Sequence, residues 1–357
     1  MRLRFVVAAM ATCVLGYALA GTGLFAQGRG QAASSGTLAP PAVYPHDMTT
    51  YQCAHFDEKA CDQVPAPPPM YDPLIGQWVR FTLIRNGFSV QPPDAPLYLQ
   101  FGPDGYWSMM EFPANRPKIN KPLEQQTPQE LLSRFDSSDG GWGTYTQDGM
   151  INDRHHYADI AAPGNGGAEH VRGWRFEGRV LVLEGTGSNH SPEIKTRKLP
   201  VQTLASKNIV GAYERTGLTV NGAAVQQPVP QHLLLGEDGW FQETLLPTGR
   251  TRPQGKPMEQ WTPQEFAAAY KDVQAARGTY NADSSTIIRK HIGDLDPNLE
   301  GKDAAGTYTL QGGTLTITGT DTAGRKTVET FTKMKPYDVY APYTPPGARG
   351  GRGAGAQ

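Results

Sequence analysis

The sequence predicts an all-β fold: two antiparallel eight-stranded barrels in tandem, each with one short capped helix. Three observations lead there. Glycine (41) and proline (30) make up about a fifth of the 357 residues, against about 12% in average usage. Such punctuation suits short strands joined by turns and disfavours a helical bundle. Segments rich in Val, Phe, Thr and Trp recur at short spacing with turn signals between them. And the whole pattern occurs twice, about 135 residues apart.

The duplication is explicit. Lys121-Pro-Leu-Glu-Gln-Gln-Thr-Pro-Gln-Glu130 matches Lys256-Pro-Met-Glu-Gln-Trp-Thr-Pro-Gln-Glu265 at eight of ten positions. Leu74-Ile-Gly-Gln-Trp78 matches Ile209-Val-Gly-Ala-Tyr213, and Pro103-Asp-Gly-Tyr-Trp107 matches Glu237-Asp-Gly-Trp-Phe241. Gly143-Thr-Tyr145 matches Gly278-Thr-Tyr280, and Glu177-Gly-Arg-Val-Leu-Val-Leu183 matches Gln311-Gly-Gly-Thr-Leu-Thr-Ile317. Order and spacing hold throughout, so the repeated unit is a whole domain rather than a solenoid turn.

From the N-terminus, Arg2 and Arg4 precede an apolar run from Phe5 to Ala20, with small residues at Ala18, Ala20 and Ala26. This is the architecture of a signal peptide, here residues 1–26. The run is too short for a spanning helix, which needs about 18 residues or more, so an uncut anchor is the weaker reading. Cys13 lies inside the apolar run and is discounted as a lipid-attachment site. The chain is expected to be exported, periplasmic or extracellular, with no membrane span after signal removal. Residues 27–72 are a Pro-rich leader, ending near Pro65-Ala-Pro-Pro-Pro69. Cys53 and Cys61 lie in it, and in an oxidising compartment they read as a disulfide closing a short loop. A metal site would need further ligands, and only His46 and His55 are near; the spacing fits no common zinc pattern.

Repeat 1 is placed at 73–204 and repeat 2 at 208–336, with a disordered tail at 337–357. Expected strands in repeat 1 are 77–84, 97–101, 106–112, 142–147, 151–160, 170–177, 179–186 and 196–204. The Gly102-Pro-Asp-Gly105 segment is the hairpin turn between the second and third. The one convincing helix start is Thr127, with Pro128 in the first turn and Glu130 completing a capping box; Thr262, Pro263 and Glu265 repeat it. Eight sequential strands suit closure into an up-and-down barrel, which removes both edges. A two-sheet sandwich is the alternative. The link from Ala205 to Asn208 is short, so the repeats should touch.

Each repeat resembles the bacterial lipocalin-like domain family. The residues that carry the resemblance are Gly76-Gln-Trp78 and Gly211-Ala-Tyr213, the Asp-Gly turn before an aromatic strand, and the capped helix. The Gly-Thr-Tyr strand, the strand holding His156 and His291, and the closing Gly-x-x-Leu hairpin strand also match. The resemblance covers nearly all of both repeats, about three-quarters of the chain. It implies an eight-stranded barrel around a cavity and says little of activity. The Gly-x-Trp opening is also similar to that of true lipocalins, where the Trp closes the barrel floor; repeat 2 has Tyr213 there.

Composition and motifs narrow the function classes. There are 33 basic and 34 acidic residues, so no basic excess marks a nucleic-acid binder. No Gly-x-Ser-x-Gly, phosphate-binding glycine loop or His-Glu-x-x-His occurs. Nothing in the spacing of Glu111, Asp153 and Asp159 singles out an acid–base pair, so no catalytic residue, cofactor or metal is assigned. The most informative strand is Ile151-Asn-Asp-Arg-His-His-Tyr-Ala-Asp-Ile160, aligned with Thr286-Ile-Ile-Arg-Lys-His-Ile-Gly-Asp-Leu295. By alternation Arg154 and His156 share a face with Ile160, and Arg289 and His291 share one with Leu295. These side chains either satisfy buried groups or anchor the polar end of an apolar ligand. The candidate ligand site is Arg154, His156, Arg172, Trp107 and Tyr145, with Arg289, His291, Phe241 and Tyr280 as repeat-2 equivalents. The expected function is binding of a small hydrophobic molecule, an apolar acid or phenol. The alternatives are a barrel isomerase, cyclase or hydrolase using interior Arg, His and Tyr, and a structural or partner-binding module with filled barrels.

In exported protein, neither Cys53 nor Cys61 should react with a thiol reagent before reduction. Replacing both with Ala should cost at most about 2–3 kcal/mol. Two titratable thiols in the native protein would overturn the pairing.

Overall fold

The computed structural model describes residues 74–86, 88–90, 96–147, 151–155, 159–161, 169–185, 192–202, 207–226, 231–247 and 249–340. The signal segment, the leader and the Cys53–Cys61 loop lie outside them. Repeat 1 forms one antiparallel sheet of β1 (Gly76–Arg85), β2 (Phe88–Val90), β3 (Leu97–Phe101), β4 (Tyr106–Glu111), β5 (Asp139–Thr146), β6 (Ile151–His155), β7 (Glu169–Glu177), β8 (Val180–Gly185) and β9 (Glu193–Lys198). Repeat 2 supplies β10 (Gly211–Val220), β11 (Ala223–Ala224), β12 (His232–Leu235), β13 (Trp240–Leu245), β14 (Gln274–Ala282), β15 (Thr286–Asp294), β16 (Asp303–Gln311), β17 (Thr314–Thr320) and β18 (Lys326–Lys333). In this second sheet β10 pairs with β18, closing an eight-stranded barrel from which β11 projects. The first sheet curls the same way, and its β1 pairs with β9. No strand pair joins the two sheets among the described residues.

The sequence anticipates most of these strands, with differences in bounds and phase: β5 starts at Asp139 rather than 142, and β6, expected to reach 160, is strand over Ile151–His155, with Ile160 outside it. β2 and β11 are short hairpin returns that begin after Asn86 and Asn221, both at φ 50°; at three and two residues they are too short to show an alternation. β9 runs from Glu193 to Lys198 rather than from 196 to 204. Pro200 lacks the N–H a ladder needs, and its carbonyl instead accepts from Trp240 Nε1 at 3.0 Å. The strand with Arg289 carries an irregularity: Gly278 pairs with His291 but Arg277 with Gly293. One extra residue reverses the alternation. Leu295 therefore leaves the face of Arg289 and His291 and joins the cluster between the repeats, as does Ile160.

Between β4 and β5 lies α1 (Pro128–Phe135), and between β13 and β14 lies α2 (Pro263–Tyr270). Both begin as the capping boxes predict. Thr127 Oγ1 accepts from Glu130 N at 3.2 Å, and Glu130 Oε2 accepts from Thr127 N at 2.8 Å; Thr262 and Glu265 do the same. Leu131 and Phe135 bury one face of α1, and Phe266, Ala269 and Tyr270 one face of α2.

Those faces meet. Phe135 stacks on Tyr270 with ring centroids 4.1 Å apart and planes 4° apart. The rest of the seam is reciprocal. Asp104, in the β3–β4 turn, accepts from Ala212 N at 2.6 Å, and Asp238, in the β12–β13 turn, accepts from Gln77 N at 2.8 Å. Gly76 (φ 123°) and Gly211 (φ 135°) admit these carboxylates. A Cβ on Gly211 would lie 2.9 Å from Asp104 Oδ2, and one on Gly76 would lie 3.1 Å from Asp238 Oδ2. Arg116 donates to the carbonyls of Leu295 (3.2 Å) and Asp294, and Arg250 to those of Ile160 (3.3 Å) and Asp159 (2.7 Å). Trp142 stacks on His232 at 3.9 Å, and Arg277 lies 3.3 Å over the ring of Tyr98.

After β18 the chain returns to repeat 1. Met334 N donates to Ala212 O at 2.9 Å, Tyr337 N to Asp104 O at 2.8 Å, and Gln147 N to Val339 O at 2.8 Å. Residues 337–340, read from sequence as the start of the tail, thus lie along repeat 1. Val339 packs on its interior cluster.

Replacing Asp104 or Asp238 by Ala leaves a buried N–H without its acceptor. Each variant should lose about 1–3 kcal/mol in urea unfolding, and Asn at either position should recover part of it. Full stability in both Ala variants would show that the seam does not depend on these bonds.

Candidate functional site

The interior of repeat 2 is built on alternate residues of four strands. β10 supplies Tyr213 and Arg215, β13 supplies Phe241 and Glu243, β15 supplies Ile287, Arg289 and His291, and β18 supplies Glu329 and Phe331. All are buried except the partly accessible Glu243. Arg289 donates to Glu243 Oε2 at 2.7 Å and to Glu329, while Arg215 donates to Glu329 Oε1 at 2.8 Å. His291 Nδ1 lies 2.8 Å from Asp294 Oδ2, and its Nε2 lies 3.6 Å from Glu243 Oε1. Burial opposes every charge here. Against it, Glu329 and then Glu243 hold the Arg289 guanidinium above its ordinary range. Arg289 and then Arg215 hold the Glu329 carboxyl below its own. Asp294 goes the other way: burial raises it, despite His291.

Of the repeat-2 candidates, this brings together Arg289, His291, Phe241 and Tyr280. The rings of Phe241 and His291 lie 5.4 Å apart, and Tyr280 pairs with Arg289 in register. Their chemistry is committed internally. Arg289 has carboxylates on both sides, and the Tyr280 hydroxyl donates to Gly236 O at 2.7 Å, locking the Asp-Gly turn. Tyr145 does the same to Gly102 O at 3.0 Å in repeat 1.

Repeat 1 keeps Arg80 where Arg215 stands and has His155 on the row of His291, but it lacks both interior glutamates. Leu83 pairs with Ile194 where Leu218 pairs with Glu329, and Met109 stands where Glu243 does. The register also slips by one against the sequence alignment. Tyr145 pairs with Asp153, and Gly143 with His155, whereas Tyr280 pairs with Arg289 and Gly278 with His291. Arg154 is opposite Thr144 and Glu169 instead. Asp153 and His155, not Arg154 and His156, thus take the rows of Arg289 and His291. His156 lies outside the described residues. Arg172 pairs with Ile151 and Gly185 and is half-buried. Trp107 is in the interior, its Nε1 donating to Thr144 O at 3.0 Å.

Among the described side chains, one aromatic and aliphatic cluster fills the interior of repeat 1, with Trp78, Leu83, Leu97, Leu99, Trp107, Met109, Trp174 and Ile194 in it. At one end Arg80 pairs with Glu111. Leu83, Leu97, Leu99, Met109 and Ile194 keep 6–8% exposure, whereas Tyr213, Leu233, Leu235, Phe241 and Phe331 of repeat 2 keep none. Trp174 is 4% exposed, and its Nε1 has no hydrogen-bond acceptor among the described residues. Phe176 meets it edge-on at 5.9 Å and lies 5.9 Å from Trp78. Sequence reasoning placed Trp174 in the core but missed its free N–H, and it missed Glu243, Glu329, Arg215 and Asp294. A comparison of the repeats position by position flags the first two, since Glu replaces Met or Ile in an otherwise matched strand.

A shallow depression of about 200 Å³ lies on the outer wall of repeat 2, beside Gln202, Thr279, Asn281, Ile288, Lys290 and Asp303. No described helix is long and apolar enough to cross a membrane. No protein-family model matches the chain, and no curated protein matches it.

One buried carboxyl near the seam titrates near neutrality. Asp139 Oδ1 accepts from Gly140 N at 2.8 Å and Ala161 N at 3.0 Å. Burial pushes its carboxyl up to about 7, and Asp159 and Glu111 add to the rise. The folded chain keeps a proton here that the unfolded chain loses above about pH 4. This contribution to stability is present in acid and fades as the pH rises to about 7. Asp139→Asn should remove that part of the pH dependence, read from urea midpoints between pH 4 and 8. An unchanged slope would place the proton elsewhere.

Proposed function

We propose that the chain is an exported, duplicated lipocalin-like protein whose first repeat carries a small apolar molecule bearing a hydrogen-bond acceptor. The observation that carries this reading is the buried Trp174 Nε1–H, which has no acceptor among the described residues and sits in an interior of aromatic and aliphatic side chains. A buried donor without a partner is costly, and an acceptor on a bound molecule removes the cost. Aromatic walls with one or two placed polar groups are the usual make-up of small-molecule sites. Arg172, on the row of Ile151 and two residues before Trp174 on β7, suits the carboxylate of an apolar acid. The residual exposure of Leu83, Leu97, Leu99, Met109 and Ile194 supports access from the end marked by Arg80 and Glu111.

In this reading the second repeat is a structural partner. Its interior charges are internally paired, and its aromatic core is closed. Export rests on the Arg2–Ala20 segment and the tandem lipocalin-like assignment on the repeated Gly-x-aromatic opening, Asp-Gly turn and capped helix. A purely structural module is the second reading, favoured by the small size and outer position of the 200 Å³ depression.

Titration with a fluorescent fatty acid separates the two. Trp174→Phe keeps the ring but removes the N–H, and should weaken binding about 3- to 10-fold, the value of one hydrogen bond. Arg172→Ala should weaken the acid probe more than its methyl ester. Equal affinity in wild type and a folded Trp174→Phe variant would remove Trp174 from the site. No binding by the wild type would leave the structural module.

A further inference from the structure

The seam between the repeats contains a guanidinium with no ion pair among the described residues. Arg277, on β14, is 7% exposed and lies over the Tyr98 ring of repeat 1. Its Nε and Nη1 are enclosed and have no hydrogen-bond acceptor. The neighbouring arginines are satisfied differently. Arg116 reaches Leu295 O, Asp294 O and Glu300, Arg134 reaches Asp296 at 3.4 Å, and Arg250 reaches Asp159 O and Ile160 O. Where these leave an enclosed nitrogen unpartnered, it is Nε alone; Arg277 leaves Nη1 as well.

Glu300 acts on both Arg277 and Arg116, but its carboxylate is 2.7 Å from Arg116 and also accepts from Asp294 N at 3.4 Å. Arg116 thus draws on Glu300 and Asp294, whereas Arg277 has the Tyr98 side chain and, at longer range, Glu300. Burial pushes the Arg277 guanidinium below its ordinary range, and Arg116 adds to that. Packing does not call for the charge, because the matching stack on the other half of the seam is made by Trp142 on His232. Gly293 admits the guanidinium against β15: a Cβ there would lie 2.9 Å from Nε and 3.2 Å from Nη2. A buried cation without a partner is strongly disfavoured, whereas one with a bound anion is not.

We propose that Arg277 is the core of a small-anion site at the seam, taking a halide or the carboxylate of a small acid through its unpartnered N–H groups. Such an anion would tie the two repeats together at Tyr98 and β14. The inference is independent of any ligand in the repeat-1 interior.

Chloride-35 line width, measured on the full chain in chloride solutions, reads the site directly. The wild type should broaden the line saturably. Arg277→Trp, which installs the residue that repeat 1 uses, and Arg277→Gln should each reduce the broadening at least tenfold. Formate or acetate that displaces the chloride signal identifies a carboxylate-competent site, and displacement by bromide alone identifies a halide site. Glu300→Gln removes the competing carboxylate and should tighten chloride severalfold, which tests the site even if both Arg277 variants fail to fold. Equal broadening by wild type and a folded Arg277 variant, no broadening by the wild type, or unchanged chloride affinity in Glu300→Gln would overturn the proposal.

Discussion

The rest of the molecule depends on a reciprocal exchange of hydrogen bonds between the two halves of the chain. The carboxylate of each Asp-Gly turn accepts the N–H that opens the other repeat's first strand, Asp104 at Ala212 and Asp238 at Gln77. Both carboxyls are raised by burial, and the backbone donors work against that rise. They stay useful because the donors are fixed by strand geometry. Around them every major contact has its mirror: helix face on helix face, Arg116 against Arg250, and Trp142 on His232 against Arg277 on Tyr98. This is the logic of an isologous interface, in which one patch meets its own copy, carried out within one chain.

That seam frees the interiors to diverge. In repeat 2 the interior holds four formal charges as Arg215, Glu329, Arg289 and Glu243, with His291 and Asp294 beside them. Buried pairs of this kind add little net stability but are costly to break, so they specify one packing and leave nothing for a ligand. Repeat 1 has Met109 and Ile194 at the carboxylate positions, and its register offset at β6 exchanges the row of Arg289 for that of Asp153. The same backbone plan thus encloses a paired polar centre on one side and, on the other, an aromatic and aliphatic cluster in which the Trp174 Nε1–H has no acceptor among the described residues.

Much of the fold was legible because it rests on local chemistry. Thr127 and Thr262 marked the helix starts, the Asp-Gly turns marked the hairpins, and the matching segments gave two copies of one plan. The candidate site was less legible. Arg289, His291, Phe241 and Tyr280 do lie together, but the carboxylates that occupy Arg289 come from β13 and β18, which meet β15 only once the sheet has curled. The alignment of Arg154 with Arg289 was reasonable on identity and differs by one residue in register, and in a strand one residue changes the face. β2 and β11, at three and two residues, are too short to show an alternation, and the early end of β9 is set by Pro200.

The sequence by itself determined an all-β, duplicated chain, where its helices begin, and which turns reverse it. Those features are set by backbone dihedral preferences, capping and alternation over a few residues. Only the tertiary structure decided which charges are paired, which donor in an apolar interior is left without an acceptor, and how the halves lock across Gly76 and Gly211. Each of those depends on groups far apart in the chain, 40 residues for Arg289 and Glu329 and 161 for Gln77 and Asp238, or on the phase of a strand after an extra residue. Neither distance nor phase is written in local composition.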